Sequence, residues 1–199
     1  MATTKRRPST EKMVTVAILT ALVIVMQFVS MNLRFATFSI TLTLLPIVIG
    51  GALCGIGAGA WLGLVFGIIV LATGDAAFFM GLGPNGETVA GTIITVLVKG
   101  TAAGAASAAV YKLLSGFNRY VATVAAAIIA PIVNTGVFTL GCYIFFYDYI
   151  SAFATDGGMS SFAYIIIFFI GINFIIEFAT NAVLSPVAVR LVDVVKKKK

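Results

Sequence analysis

The chain has 199 residues, of which 60% are hydrophobic and 10% charged, and its formal net charge is +6. A soluble domain carries roughly 25% charged residues to solvate its surface, so this composition, with a mean hydropathy of +1.11, excludes a water-soluble protein and makes lipid the natural solvent. The positive charge sits at the two ends, in Lys5, Arg6, Arg7 and Lys12 and in Arg190 with Lys196 to Lys199. With no basic stripe between them, these clusters read as topology signals and headgroup contacts, and no nucleic-acid partner is expected.

A helix needs ~20 apolar residues to cross the ~30 Å hydrocarbon core. In chain order such spans fall near 12–30, 40–54, 57–73, 88–114, 119–148 and 161–193, which predicts six transmembrane helices. The first lacks a convincing cleavage region and is followed by further spans, so it reads as a retained helix and not a signal peptide. It carries Ala17-Ile18-Leu19-Thr20-Ala21, a small-residue face able to dock a partner. The second and third are short and separated only by Cys54-Gly55-Ile56, which leaves a tight hairpin and one broken helix both open. Gly51, Gly55, Gly59, Gly63 and Gly67 recur every four residues, as do Gly100, Gly104 and Ala108 in the fourth span. Small residues at this spacing let helix backbones approach, and internal packing is the expected use. The last two spans are longer than needed and are expected to tilt or to project beyond the bilayer.

With six spans the connections alternate sides. One side receives both termini and the turns carrying Lys112 and Arg119; the other receives loops 31–39, 74–87 and 148–160, with Asp75, Glu87, Asp148 and Asp156 and Arg34 as the lone cation. Short loops rich in Lys and Arg stay in the cytoplasm, which places both termini there. The expected organisation is a basic cytoplasmic segment over 1–11, a transmembrane domain over 12–193 and a basic tail over 194–199. Loop 74–87 mixes Phe78 and Phe79 with Gly and Pro. That composition suits a lid over a site, or equally an interfacial loop with its aromatics in the headgroups.

Polar groups in hydrocarbon face protein or water. Lys99, Asn134 and Asn173 fall at one depth near the midplane, and Glu177 lies one turn deeper. Asn173, Glu177 and Asn181 share a helix face. Lys99 either pairs with Glu177 or receives an anionic group of a substrate, with the asparagines supplying directional hydrogen bonds. Tyr143 and Tyr147, one turn apart, are either interfacial belt residues or the wall of a pocket mouth. Cys54 and Cys142 form no Cys-x-x-Cys pair and the chain has no histidine, so no metal and no cofactor is expected. Without a Ser/His pair or metal cluster, an enzyme is not expected either.

These features together resemble the substrate-binding S components of energy-coupling factor (ECF) vitamin transporters, over nearly the whole chain. The resemblance runs through Ala17-Ile18-Leu19-Thr20-Ala21, Ile40-Thr41-Leu42-Thr43-Leu44-Leu45-Pro46-Ile47-Val48-Ile49-Gly50-Gly51 and Gly57-Ala58-Gly59-Ala60-Trp61-Leu62-Gly63-Leu64-Val65-Phe66-Gly67. It implies an all-α integral membrane fold, a six-transmembrane-helix bundle of S-component type in the bacterial cell membrane. It also implies high-affinity capture of a water-soluble vitamin from outside. A separate transmembrane scaffold would dock on Ala17 and Ala21, and two cytoplasmic ATPase subunits would drive toppling that carries the site inward. The chain has no Gly-x-x-x-x-Gly-Lys-[Ser/Thr] phosphate loop, in keeping with a passive binding subunit. Asn134-Thr135-Gly136 resembles the pantothenate type, a small carboxylate suited to Lys99. The candidate binding residues are Arg34, Lys99, Asn134, Asn173, Glu177, Tyr143 and Tyr147. The competing reading is a stand-alone secondary transporter or channel for a small anionic metabolite using Lys99 and Glu177.

Overall fold

In hydrocarbon no water bonds the backbone, so a crossing segment must satisfy its own N–H and C=O groups, and helices do this within one segment. The computed structural model is accordingly helical; it describes residues 10–32, 34–35, 38–39, 42–83 and 85–197. Among the described residues, four helices are long and apolar enough to cross a membrane: α1 (Thr10–Asn32), α5 (Glu87–Leu114), α6 (Arg119–Phe145) and, within α9 (Ile172–Lys197), the stretch Phe174–Lys196. Two shorter apolar helices, α2 (Leu44–Cys54) and α3 (Ile56–Ala72), lie between them. A two-residue antiparallel pair, β1 (Arg34–Phe35) with β2 (Phe38–Ser39), joins α1 to α2.

The break between α2 and α3 is one residue wide. Gly55 takes φ +97° there, a conformation side chains resist. Beyond it the chain folds back. Gly50 faces Leu62, and Gly51 and Gly59 both face Ala108, a symmetry about residue 55 that only a hairpin gives. Of the two readings left open by the sequence, the tight hairpin is therefore correct. The 11 residues of α2 rise only ~16 Å, about half the hydrocarbon thickness. The non-helical residues before it are held by side chains. The Leu42 amide donates to Ser30 Oγ at 3.2 Å, and the Thr43 hydroxyl donates to Gln27 Oε1 at 3.1 Å. Irregular backbone at membrane depth is tolerated where protein satisfies it in this way.

The glycine repeats are a seam. Gly63 lies against the Gly100 carbonyl and Gly100 against that of Gly63; Gly59 and Gly104 are matched likewise. A Cβ at Gly67 would stand 2.9 Å from the Val96 carbonyl oxygen. Close backbone contact thus joins α3 to α5 along three turns, the internal packing expected of such spacing. On the other flank of α5, Gly91 admits Phe145 and Gly141 admits Thr95. Ala122, Ala126, Ala127 and Ala130 make a fully buried stripe on α6 near Ala188 and Val192 of α9.

The predicted fifth span, 119–148, ends earlier than its composition suggests. Helix α6 stops at Phe145, and Phe146 (φ −126°, ψ 4°) breaks it before α7 (Tyr147–Asp156) begins. The cause is burial: Phe146, Ile150 and Ala154 form a stripe of period four that is at most 1% exposed, so α7 must lay that side against the bundle. The predicted sixth span opens with α8 (Ser161–Tyr164) and a π-helical turn over Ile165–Gly171 before α9. Between Tyr147–Asp156 and Ser161–Ile167 the chain bends by 97°.

Candidate functional site

Three helices bring the intramembrane polar groups together. On α6, Asn134, Phe138 and Cys142 succeed one another every four residues and so line one face. Asn134 is 6% exposed, and its Nδ2 donates to both carboxylate oxygens of Glu177 on α9, at 3.3 Å each. Lys99, on α5, is partly buried. Its ammonium lies 5.1 Å from the centroid of the Phe138 ring, a cation–π distance, within electrostatic reach of Glu177 and Cys142. It stands 12 residues into α5, ~18 Å along the axis, close to the midplane. One turn deeper than Glu177, Asn181 is 2% exposed and donates through Nδ2 to the Glu177 backbone carbonyl at 2.9 Å.

The sequence suggested that the asparagines would supply the hydrogen bonds of the site, and the nitrogens of Asn134 and Asn181 are instead engaged by Glu177. A carboxylate and a backbone carbonyl are acceptors only, so each carboxamide must turn its NH2 group towards them. Their oxygens are what remain. Among the described residues, Asn134 Oδ1, Asn181 Oδ1 and Thr95 Oγ1 are buried side-chain atoms with no hydrogen-bond partner. A buried acceptor left so costs about 1–3 kcal/mol. Thr95 is one turn N-terminal to Lys99 on the same face of α5.

Aromatic rings roof this layer. Helix α4 (Ala77–Met80), inside loop 74–87, turns Phe79 edge-on to Phe138 at 5.3 Å and sets it 5.3 Å from Phe146. Its neighbour Phe78 is 54% exposed. Phe79 thus packs on the ring that the Lys99 ammonium faces, and Phe78 stands edge-on to Phe79 at 5.3 Å. Tyr143 packs on the cluster of Cys142, Phe146, Ile150 and Ile165, and Tyr147, 44% exposed, stacks on it with centroids 5.9 Å apart. At the N-terminal end of α5, Glu87 accepts from the Tyr149 hydroxyl, which holds that phenol above its ordinary pKa.

Lys99, Asn134 and Glu177 are thus gathered, and Tyr143, with Tyr147 stacked on it, packs on the same aromatic cluster as Phe138. Arg34 lies on β1 and Asn173 near the start of α9, and their side chains are outside the described part of the structure. Sequence reasoning missed Phe138 and Thr95, and named Phe79 only as part of loop 74–87. The period-four succession from Asn134 carried a signal for Phe138, and nothing local marked Thr95. No cluster of three or more Cys, Asp and Glu suited to a metal occurs among the described residues.

At the opposite end, Ala17 and Ala21 are exposed on α1. Ala17 borders a groove of about 650 Å³ between α1 and α3, with Lys12, Val16, Cys54, Ala58 and Trp61. Trp61 crosses it, donating from Nε1 to Thr20 Oγ1 at 3.2 Å.

Comparison with known proteins accords with this architecture. The family model for the ECF transporter, substrate-specific component, matches residues 11–189. The fold is similar to the solved structure of ThiT from Listeria monocytogenes, with a TM-score of 0.61, 17% identity, and coverage of 92% of this chain and 97% of that one. No curated protein matches the chain. The chain belongs to the substrate-specific components of ECF transporters, multi-pass bacterial membrane proteins that work with an ECF scaffold and ATPase subunits.

Proposed function

We propose that this substrate-specific component captures a water-soluble vitamin with high affinity from outside the cell, with pantothenate the best candidate. The vitamin is held in the layer of Lys99, Asn134 and Glu177, with Asn173 in the same layer and Tyr143, Tyr147 and Arg34 towards the mouth. The observation that carries this reading is the meeting of Lys99, Asn134 and Glu177 from three separate helices beneath the Phe79 roof. A polar group in hydrocarbon is expensive, and a cationic one beside an aromatic cap suits a small carboxylate.

The six crossings in this reading are α1, α2 together with the residues leading into it from 40, α3, α5, α6 and α9, with both termini cytoplasmic. The transmembrane domain spans 12–193 between the basic segments 1–11 and 194–199. That orientation turns the roof outward and the Ala17 and Ala21 face inward. The scaffold docks on Ala17 and Ala21, and two cytoplasmic ATPases drive the toppling that presents the vitamin to the cytoplasm. The test is equilibrium binding of a panel of water-soluble vitamins to the purified chain in detergent, without ATP. One of them should bind tightly and at 1:1 stoichiometry. No binding across the panel overturns the reading.

A further inference from the structure

We infer that the ligand of this site carries hydrogen-bond donors, hydroxyl or amide N–H groups, in addition to its anionic group, and that the carboxamide oxygens of Asn134 and Asn181 read them. The inference rests on the proposed capture of a small anionic vitamin in the Lys99 layer and makes its chemistry narrower. Both carboxamides bond to the same residue, Asn134 to the Glu177 side chain and Asn181 to its backbone carbonyl. Both are more than nine-tenths buried. Because their NH2 groups face obligate acceptors, the orientation of each amide is fixed by chemistry, and each oxygen is presented away from Glu177 without a partner.

Besides the Glu177 carboxylate, already bonded to Asn134, a site built this way offers one cation and two neutral acceptors. A fatty-acid-like or otherwise donor-free anion satisfies the ammonium and leaves both oxygens unmet. A hydroxy or amide-bearing carboxylate satisfies all three. Selectivity of this kind is strong, because a site that hydrogen-bonds a substrate O–H or N–H rejects the analogue lacking it by far more than an apolar pocket rejects a missing methylene.

The experiment is isothermal titration of the purified full chain in detergent with pantothenate, with its analogue in which both hydroxyls are replaced by hydrogen and the amide nitrogen is methylated, and with octanoate. If the vitamin panel selects another compound, the pair becomes that vitamin and its derivative with the donors methylated. The donor-free analogue should bind at least ten times more weakly than the parent, and octanoate more weakly still. In Asn134→Leu and Asn181→Leu the ratio between parent and analogue should shrink at least threefold. Should either variant fail to fold, the comparison of ligands on the wild-type chain decides. Equal affinity for parent and analogue, or a donor-free anion as the tightest ligand, overturns the inference and leaves the capture reading standing, water being then the donor to these oxygens. No binding by any compound overturns both.

Discussion

Gly63 and Gly100 hold α3 and α5 in backbone contact, and Lys99 is the residue before Gly100, so the seam and the site are one construction. In Gly63→Ala the new methyl would occupy the position of the Gly100 carbonyl oxygen. That atom belongs to a helix backbone and has no rotamer to escape into, so the helices must separate. A gap of ~1 Å forfeits about a quarter to a half of the dispersion attraction across a contact. Lipid supplies no hydrophobic force to restore it, since tails are as apolar as the side chains. Overpacking of this kind costs about 1–3 kcal/mol. At about 2–4 °C per kcal/mol for a chain of this size, the Tm in detergent should fall by roughly 4–8 °C for a mid-range cost. Ligand affinity should fall with it, because α5 carries Lys99 away from Phe138 on α6. Gly136→Ala is the control: no atom stands within 4 Å of its added Cβ, and removing a helical glycine is worth about 0.5–1 kcal/mol in the other direction. Differential scanning fluorimetry of the three proteins reads both. An unchanged Tm in Gly63→Ala would refute the packing argument.

Lys99→Ala should weaken an anionic vitamin by over ~1.5 kcal/mol, more than tenfold, as for a lost charge-assisted hydrogen bond; unchanged affinity in a folded variant would assign Lys99 to structure alone. Ala17→Trp or Ala21→Trp should leave binding by the purified chain intact and abolish uptake by cells carrying the whole transporter. Loss of binding instead would mean that this face packs internally. Gln27→Leu removes the amide that accepts from Thr43 and donates to Asp75 at 2.7 Å. At about 1–3 kcal/mol for such a loss, hydrogen exchange in loop 74–87 should quicken, and exchange rates equal to wild type would show that Gln27 does not anchor the loop.

Much of this was legible in the sequence, and the reason differs from element to element. Lys99, Asn134 and Glu177 stood out because lipid penalises polarity, so their mere presence in apolar spans marked them, and helical rise put Lys99 and Asn134 at one depth with Glu177 a turn deeper. The glycine seam was legible because its period matches the helix. What depended on direction was not. Composition could not show that the Asn134 and Asn181 nitrogens are consumed within the protein, since that follows from which acceptors they meet in space. Nor could it show the break at Phe146, because apolar residues run through it and only the buried stripe of Phe146, Ile150 and Ala154 turns the chain. Thr95 is an ordinary threonine on an apolar helix until Gly141 is packed against it. Gln27 is similar: its role comes from Thr43 and Asp75, 16 and 48 residues away.

The central claim, that Lys99 meets the substrate's anionic group, is most directly tested by solid-state NMR distance measurement between side-chain 15N of lysine and a 13C-labelled carboxylate of the bound vitamin. One lysine amine should lie within ~4 Å of that carbon, the separation of a charge-assisted hydrogen bond. A stoichiometrically bound carboxylate with no lysine amine in range would contradict it.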